Sequence, residues 1–254
     1  MRLEDSLILP DWPAPANVRA VVTTRHGGVS QAPYDSFNLA FHVGDEAPAV
    51  VENRRHLFNL LNEIAPCGPP QWLQQVHGTT VIDAFSEPKK RAQSVPEADA
   101  VTSTQRGLPC VVMTADCLPV FFCNETGTRV AVAHAGWRGL CYGVLENTLA
   151  KFENPAEVMC WLGPAIGPDA FEVGDDVRQE FIAAYPAAIS AFEATSQPGK
   201  YLADLYELAR QRLTRAGVGM ISGGGMCTYT DAARFYSYRR NSQTGRMASV
   251  IWLG

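Results

Sequence analysis

The sequence predicts an α+β fold built on a mixed, largely antiparallel sheet. Short apolar runs follow one another through tight turns between residues 100 and 133. Helical patterns interrupt them without the regular strand–helix–strand alternation of a doubly wound parallel sheet. Material for a core is ample: of 254 residues, 46% are apolar and 19% charged, a balance that excludes disorder and suits one large core or two joined halves. No repeat, low-complexity tract or linker divides the chain, so residues 1–254 are expected to form a single domain.

Val18 to Thr24 reads as the first strand, followed by the turn-rich Arg25-His26-Gly27-Gly28-Val29-Ser30 and then Pro33 to Asn38. Residues 46 to 63 open on acidic residues and carry Leu57, Leu60 and Leu61 at helical spacing, which predicts an amphipathic helix. Trp72 to Val76 reads as a short strand ending at His77-Gly78, resumed by Thr80-Val81-Ile82. Residues 86 to 97 are polar and Pro-flanked, an expected exposed loop whose basic triplet is a solvated surface. Strands are predicted at Ala100–Thr102, Pro109–Thr114, Leu118–Cys123, Thr128–Ala133 and Met159–Leu162. Helices are predicted through Val144–Leu149, Val177–Tyr185 and Asp204–Ala216, the last stopped by Gly217. Phe235–Tyr238 and Ala248–Leu253 close the pattern as strands.

The formal net charge of -5 argues against a general nucleic-acid binder, which needs a basic face. A few arginines focused in a cleft still suit a small anionic substrate. The first residues lack the order of a secretory signal, and no apolar run is long enough to span a membrane. The seven cysteines are odd in number and scattered, without a CxxC pair, so they read as reduced thiols of a cytoplasmic protein. Cys110, Cys123 and Cys160 lie in apolar runs and are expected to be core fillers.

Three potential metal ligands share one local setting. His77, Cys117 and His134 each end or interrupt an apolar run and are followed within two positions by Gly or Pro, the place where a rigid scaffold delivers a side chain to a cleft. If Glu125 and Thr126 form a two-residue hairpin tip, Cys117 falls directly across from His134 with Cβ atoms about 5 Å apart. A three-residue loop with a bulge at Gly127 offsets them by one. Three protein ligands with an open fourth position form a catalytic rather than a structural zinc site. The same residues also fit a metal-free arrangement, with Cys117 as nucleophile and His134 as its base. Spacing does not separate the two.

The stretches TTRHGGVS (23–30), FNLAFHVGD (37–45), QVHG (75–78), TADCLPV (114–120), AHAGWRG (133–139), WLGPAIGPDAFEVG (161–174) and SYRRNSQTGRMAS (237–249) closely resemble the YfiH family. That family is also called laccase-domain, polyphenol oxidase and peptidoglycan editing factor, and a human relative acts on purine nucleosides. The resemblance covers nearly the whole chain. It implies a layered α/β/β/α sandwich, and Zn2+ on His77, Cys117 and His134. One departure is Asn241, where relatives are expected to carry an acidic residue.

Arg25, in a Gly-flanked turn, and Arg138, just past His134, are candidate clamps for a phosphate or carboxylate, and Asn38 is a candidate polar contact. Each also has a plain structural reading, as do His26, His42 and Arg239. The resemblance implies a purine nucleoside phosphorylase acting on adenosine, inosine and guanosine, with adenosine deamination as a possible companion. Alternatives are an amidase removing L-serine from UDP-MurNAc-L-Ser and a structural zinc protein without catalysis. A true multicopper laccase is disfavoured, because its cluster alone needs many histidines and the chain has five; copper would enter as a substitute for zinc. The expected partners are small molecules, neither nucleic acid nor membrane.

Overall fold

A computed structural model describes residues 3–85 and 95–254, so most of the expected 86–97 loop lies outside the described residues. Among the described residues thirteen strands form three sheets. The first sheet has the order β1 (Leu7–Ile8), β2 (Val18–Thr23), β13 (Met247–Leu253), β5 (Cys110–Thr114) and is antiparallel throughout. The second runs β12 (Met220–Gly223), β8 (Val158–Leu162), β6 (Leu118–Asn124), β7 (Val130–Ala135), β4 (Ala100–Ser103), β3 (Val81–Asp83). Its two edge pairs are parallel and the rest antiparallel. A small third sheet joins β9 (Glu172–Gly174), β10 (Phe192–Ala194) and β11 (Lys200–Ala203).

Side-chain alternation explains how the two large sheets stack. Cys110 and Val112 of β5, Phe121 and Cys123 of β6, Val130 and Val132 of β7, and Ile251 and Leu253 of β13 meet in one cluster between the sheets. The intervening residues face outward. Val111, Val250 and Trp252 pack with Leu57, Leu60 and Leu61 of helix α2 (Ala47–Ile64), which follows the short helix α1 (Leu3–Ser6). Val120, Phe122, Ala131 and Ala133 pack against α3 (Trp137–Tyr142), α4 (Val144–Leu149), α5 (Asp175–Ala184) and α6 (Leu205–Arg215). The layers are therefore helix, sheet, sheet, helix, the expected α/β/β/α sandwich. Strands covered on both faces read as continuous apolar runs, which is why they were legible. Cys110, Cys123 and Cys160 are buried in these layers, and burial pushes the Cys123 thiol up to about 12. Among the described residues no helix is long and apolar enough to cross a membrane.

Three expectations are corrected. Trp72–Val76 is not a strand: only Gln71 and Gln74 make single bridges. The Gln75 carboxamide instead pairs with both backbone groups of Met113, accepting from its N–H at 2.7 Å and donating to its carbonyl at 2.8 Å. A side-chain amide thus replaces a ladder rung. Phe235–Tyr238 is not a strand but irregular chain running from one turn into the next, held by the Arg240 guanidinium on the carbonyls of Thr228, Tyr229 and Phe235.

The third concerns the hairpin register. Pro119, not Cys117, lies opposite His134. The tip is longer than two residues because Asn124 organises it, its Oδ1 accepting the N–H groups of Thr128 and Arg129 at 2.9 Å each. Gly127, at φ +62°, closes the turn with its N–H on the Asn124 carbonyl. The slip is two residues, so every side chain keeps its predicted face.

Helix α6 is capped as its sequence demands. Asp204 Oδ1 accepts from Tyr206 N–H at 2.8 Å and Glu207 N–H at 3.0 Å, and Gly217 past the end takes φ +83°. Replacing Asp204 by Ala is expected to cost about 1 kcal/mol. Thermal denaturation should show Tm lower by about 2–4 °C with an unchanged circular dichroism spectrum.

Candidate metal centre

The site lies where β6, β7 and the segment after Val76 converge at one end of the inter-sheet layer. Two of its turns use backbone that side chains rarely adopt: His77 has φ 61° and Asp116 φ 98°. Buried carboxylates hold the flanking chain in both cases. Asp99 accepts the N–H groups of His77 at 2.9 Å and Gly78 at 2.6 Å, and its Oδ1 meets His134 Nδ1 at 2.8 Å. Asp116 takes the Thr228 hydroxyl at 2.6 Å and the Arg239 N–H at 2.7 Å, tying the C-terminal loops to the residue before Cys117.

The result is a cluster in which the His77, Cys117 and His134 ligand atoms all lie within 4.8 Å of one another. His77 is exposed, Cys117 half-buried and His134 buried, so the cluster opens on one side. Cys117 Sγ is 3.7 Å from His77 Nε2, and the two imidazoles meet edge to face at 4.7 Å. Tetrahedral zinc with ordinary bond lengths sets sulfur and nitrogen ligands about 3.6 Å apart. Asp99 engages His134 Nδ1 and leaves Nε2 for a metal, as carboxylates behind metal-binding histidines do. Gly136 completes the fit: a Cβ there would come to 2.9 Å from the His77 ring and 3.0 Å from Cys117 Sγ. These three residues can hold a metal ion.

Electrostatics favour the same outcome. Burial alone would raise the Cys117 thiol, but the adjoining His134 and His77 outweigh it and hold the thiol down to about 6. Burial would lower His134, yet Cys117 and Asp99 on either side push it up to about 9. Burial opposes the Asp99 carboxylate too, but His134 and the backbone N–H groups keep it below its usual value.

The cluster forms part of the wall of a cavity of about 410 Å³. Phe171, Ile166 and Tyr238 supply apolar surface, Arg239 and Arg246 supply positive charge, and the His42 imidazole and Asp116 lie in the same wall.

The family described as multi-copper polyphenol oxidoreductase laccase matches residues 19–254. The chain belongs to that family, known also as YfiH. A purine nucleoside phosphorylase of Pseudomonas aeruginosa is 57% identical over 247 residues, covering 97% of this chain and 98% of that one. Purine nucleoside phosphorylase YfiH of Escherichia coli is 54% identical, covering 97% and 98%. The crystal structure of YlmD from Geobacillus stearothermophilus superposes with TM-score 0.87 at 30% identity, covering 98% of this chain and 96% of that one. A Neisseria meningitidis protein of family DUF152 reaches TM-score 0.90 at 49% identity, covering 98% and 99%. The laccase in the family's description does not fit the side chains here. Among the described residues, one group of three candidate ligands exists, suited to one ion rather than to a multicopper assembly.

Within this YfiH-family site, the other sequence candidates fall elsewhere. Arg25 is not brought to the cavity: its guanidinium is taken up by the Asp35 carbonyl and carboxylate and the Ala232 carbonyl, over the Tyr236 ring. Asn38 is fully buried and saturated within its own loop, bonding Ala40, Asp45 and the Arg246 N–H. Arg138 is exposed on α3 and stacks on Trp137, outside the cavity lining. His26 is exposed and does not reach the cavity. Asn241 sits in an exposed turn, accepting from Gln243 N–H. Sequence reasoning missed Asp99, Arg246 and the holding role of Asp116, which the sequence offers only as the nearest candidate for a fourth metal ligand. Asp99, a lone acid at the mouth of an apolar strand, was the one with a readable signal.

Two outcomes are expected. Asp99→Asn should weaken metal binding by about 10- to 100-fold with the fold retained, measured by competition against a chromophoric chelator. The second concerns pH. Between about 6 and about 9 the metal-free pair holds a thiolate on Cys117 and a proton on His134. Binding must expel that proton, so affinity should rise about tenfold per pH unit across this window. Chelator competition at pH 6.5, 7.5 and 8.5 would contradict this if affinity stayed flat.

Proposed function

We propose that the chain is a zinc-dependent purine nucleoside phosphorylase, cleaving adenosine, inosine and guanosine with inorganic phosphate. One observation carries the reading: the metal-binding cluster, two arginines and an aromatic wall open onto one nucleoside-sized cavity. The naming of close relatives as purine nucleoside phosphorylases supports it. The donor set of two imidazoles and one thiolate favours zinc, with copper as a possible substitute.

In phosphorolysis a phosphate oxygen bonds to ribose C1′ while the C1′–N9 bond breaks. The electron pair leaves with the base, which then takes up a proton. Zinc, when bound to His77, Cys117 and His134, supplies a Lewis acid at its open position. Arg239 and Arg246 form no ion pair among the described residues, so their charge is available to an anionic co-substrate. Phe171, buried with the Arg239 guanidinium 5.4 Å from its ring centroid, offers an apolar face to a purine.

The test is zinc-loaded protein incubated with each nucleoside, with and without phosphate. Free base and ribose 1-phosphate should form only when phosphate is present, and Cys117→Ala should abolish turnover while retaining the fold. Cleavage of UDP-MurNAc-L-Ser irrespective of phosphate, with adenosine untouched, would instead establish the amidase alternative.

A further inference from the structure

We infer that His42 and Arg246, backed by Arg54, form a binding subsite for a small tetrahedral oxyanion, assigned as inorganic phosphate, on the cavity wall beside the metal cluster. The choice of phosphate rests on the phosphorylase reading; the existence of an oxyanion site does not.

Two guanidiniums, Arg246 and Arg54, converge here with the His42 imidazole; Asp116 also lines the cavity, but it is already bonded to the Thr228 hydroxyl and the Arg239 N–H. His42 and Arg246 line the cavity, and neither they nor Arg54 form an ion pair among the described residues. Arg246 donates from Nη1 alone, to the Thr244 carbonyl at 2.9 Å and the Gly245 carbonyl at 3.0 Å. Among the described residues its Nε and Nη2 therefore keep free donors. Arg54 lies between the Trp72 ring at 3.7 Å and the Phe41 ring at 4.5 Å, bonds the Leu39 carbonyl through Nε, and meets only the Met113 thioether through Nη2.

The arrangement is built rather than accidental. Asn38 Oδ1 accepts the Arg246 N–H at 3.0 Å, and Leu39 N–H reaches the Arg246 carbonyl at 3.4 Å. The His42 segment, helix α2 and the start of β13 are thus joined around these three side chains. The crowding of positive charge shows in His42, lowered by burial and then by Arg246 and Arg54, so that it meets an anion as a neutral N–H donor beside two guanidiniums. Burial likewise lowers Arg54 to about 10. Like charges held together by the fold, with donors facing a cavity, relax when an anion enters.

Calorimetric titration of inorganic phosphate into the zinc-loaded protein tests this. Arg246→Gln should weaken phosphate about tenfold or more, and His42→Gln about fivefold, in line with lost charge-assisted hydrogen bonds. Arg246→Lys should fall between wild type and Arg246→Gln, and covers the case that the glutamine variant misfolds, as thermal denaturation would reveal. Arg138→Gln, outside the cavity, should stay within twofold. The inference is overturned if wild type binds no phosphate even with nucleoside present, if His42→Gln and the Arg246 variants bind like wild type, or if Arg138→Gln weakens binding equally. A parallel arm uses inosine 5′-monophosphate. Far tighter binding of it than of phosphate plus inosine, lost in the same variants, would assign the site to a nucleotide's own phosphate and refute inorganic phosphate as its ligand. Phosphate binding that follows His42 and Arg246 without any phosphorolysis would sink the phosphorylase reading and leave the subsite standing. Phosphorolysis with an unchanged KM for phosphate in both variants would do the reverse.

Discussion

One buried carboxylate gathers the metal centre. Asp99 is fully enclosed, yet both its oxygens are occupied: by the backbone of the left-handed turn at His77 and by the His134 ring. An ionised acid in an apolar layer survives only when donors surround it. Here those donors are the parts that must be brought together. The same contacts that stabilise the acid fix one ligand's backbone and the other ligand's ring orientation. Asp116 repeats the device on the Cys117 side, with Thr228 and Arg239 as donors.

Much of this was legible in the chain. Cys110–Thr114, Leu118–Asn124 and Met247–Leu253 are covered on both faces and show as near-continuous apolar runs. The ligand triad showed itself because each member breaks such a run beside a Gly or Pro. What escaped depends on side chains substituting for backbone. Gln75 mimics a strand neighbour for Met113, and Asn124 lengthens a turn; neither carries a periodic signal. Arg246 escaped for a different reason. Arg25 and Arg138 sit beside the motifs in sequence, whereas Arg246 comes to the cavity wall from near the far end of the chain.

The layered sandwich also accounts for where charge is tolerated. Its interior has no room for an unpaired ion, and several arginines on the outer surface pair with acids, as Arg234 with Asp231 and Arg55 with Glu52. At the open end of the inter-sheet layer Arg239 and Arg246 face the cavity without an ion pair among the described residues, while Asp116 in the same wall is taken up by Thr228 and the Arg239 N–H. A chain of net charge -5 that gathers arginines in one recess concentrates its positive potential there.

The hairpin tip at Asn124 to Arg129 stands at the end of β6 and β7 opposite Cys117 and His134. Seven residues of strand separate it from the ligands, roughly 23 Å of rigid, doubly covered sheet. Its turn is closed by its own asparagine and rests on Asn17, which donates to the Gly127 carbonyl. That makes it a natural attachment point: a dye, an affinity tag or a surface linker grafted there would hold the molecule by its back, with the mouth of the cavity facing solution.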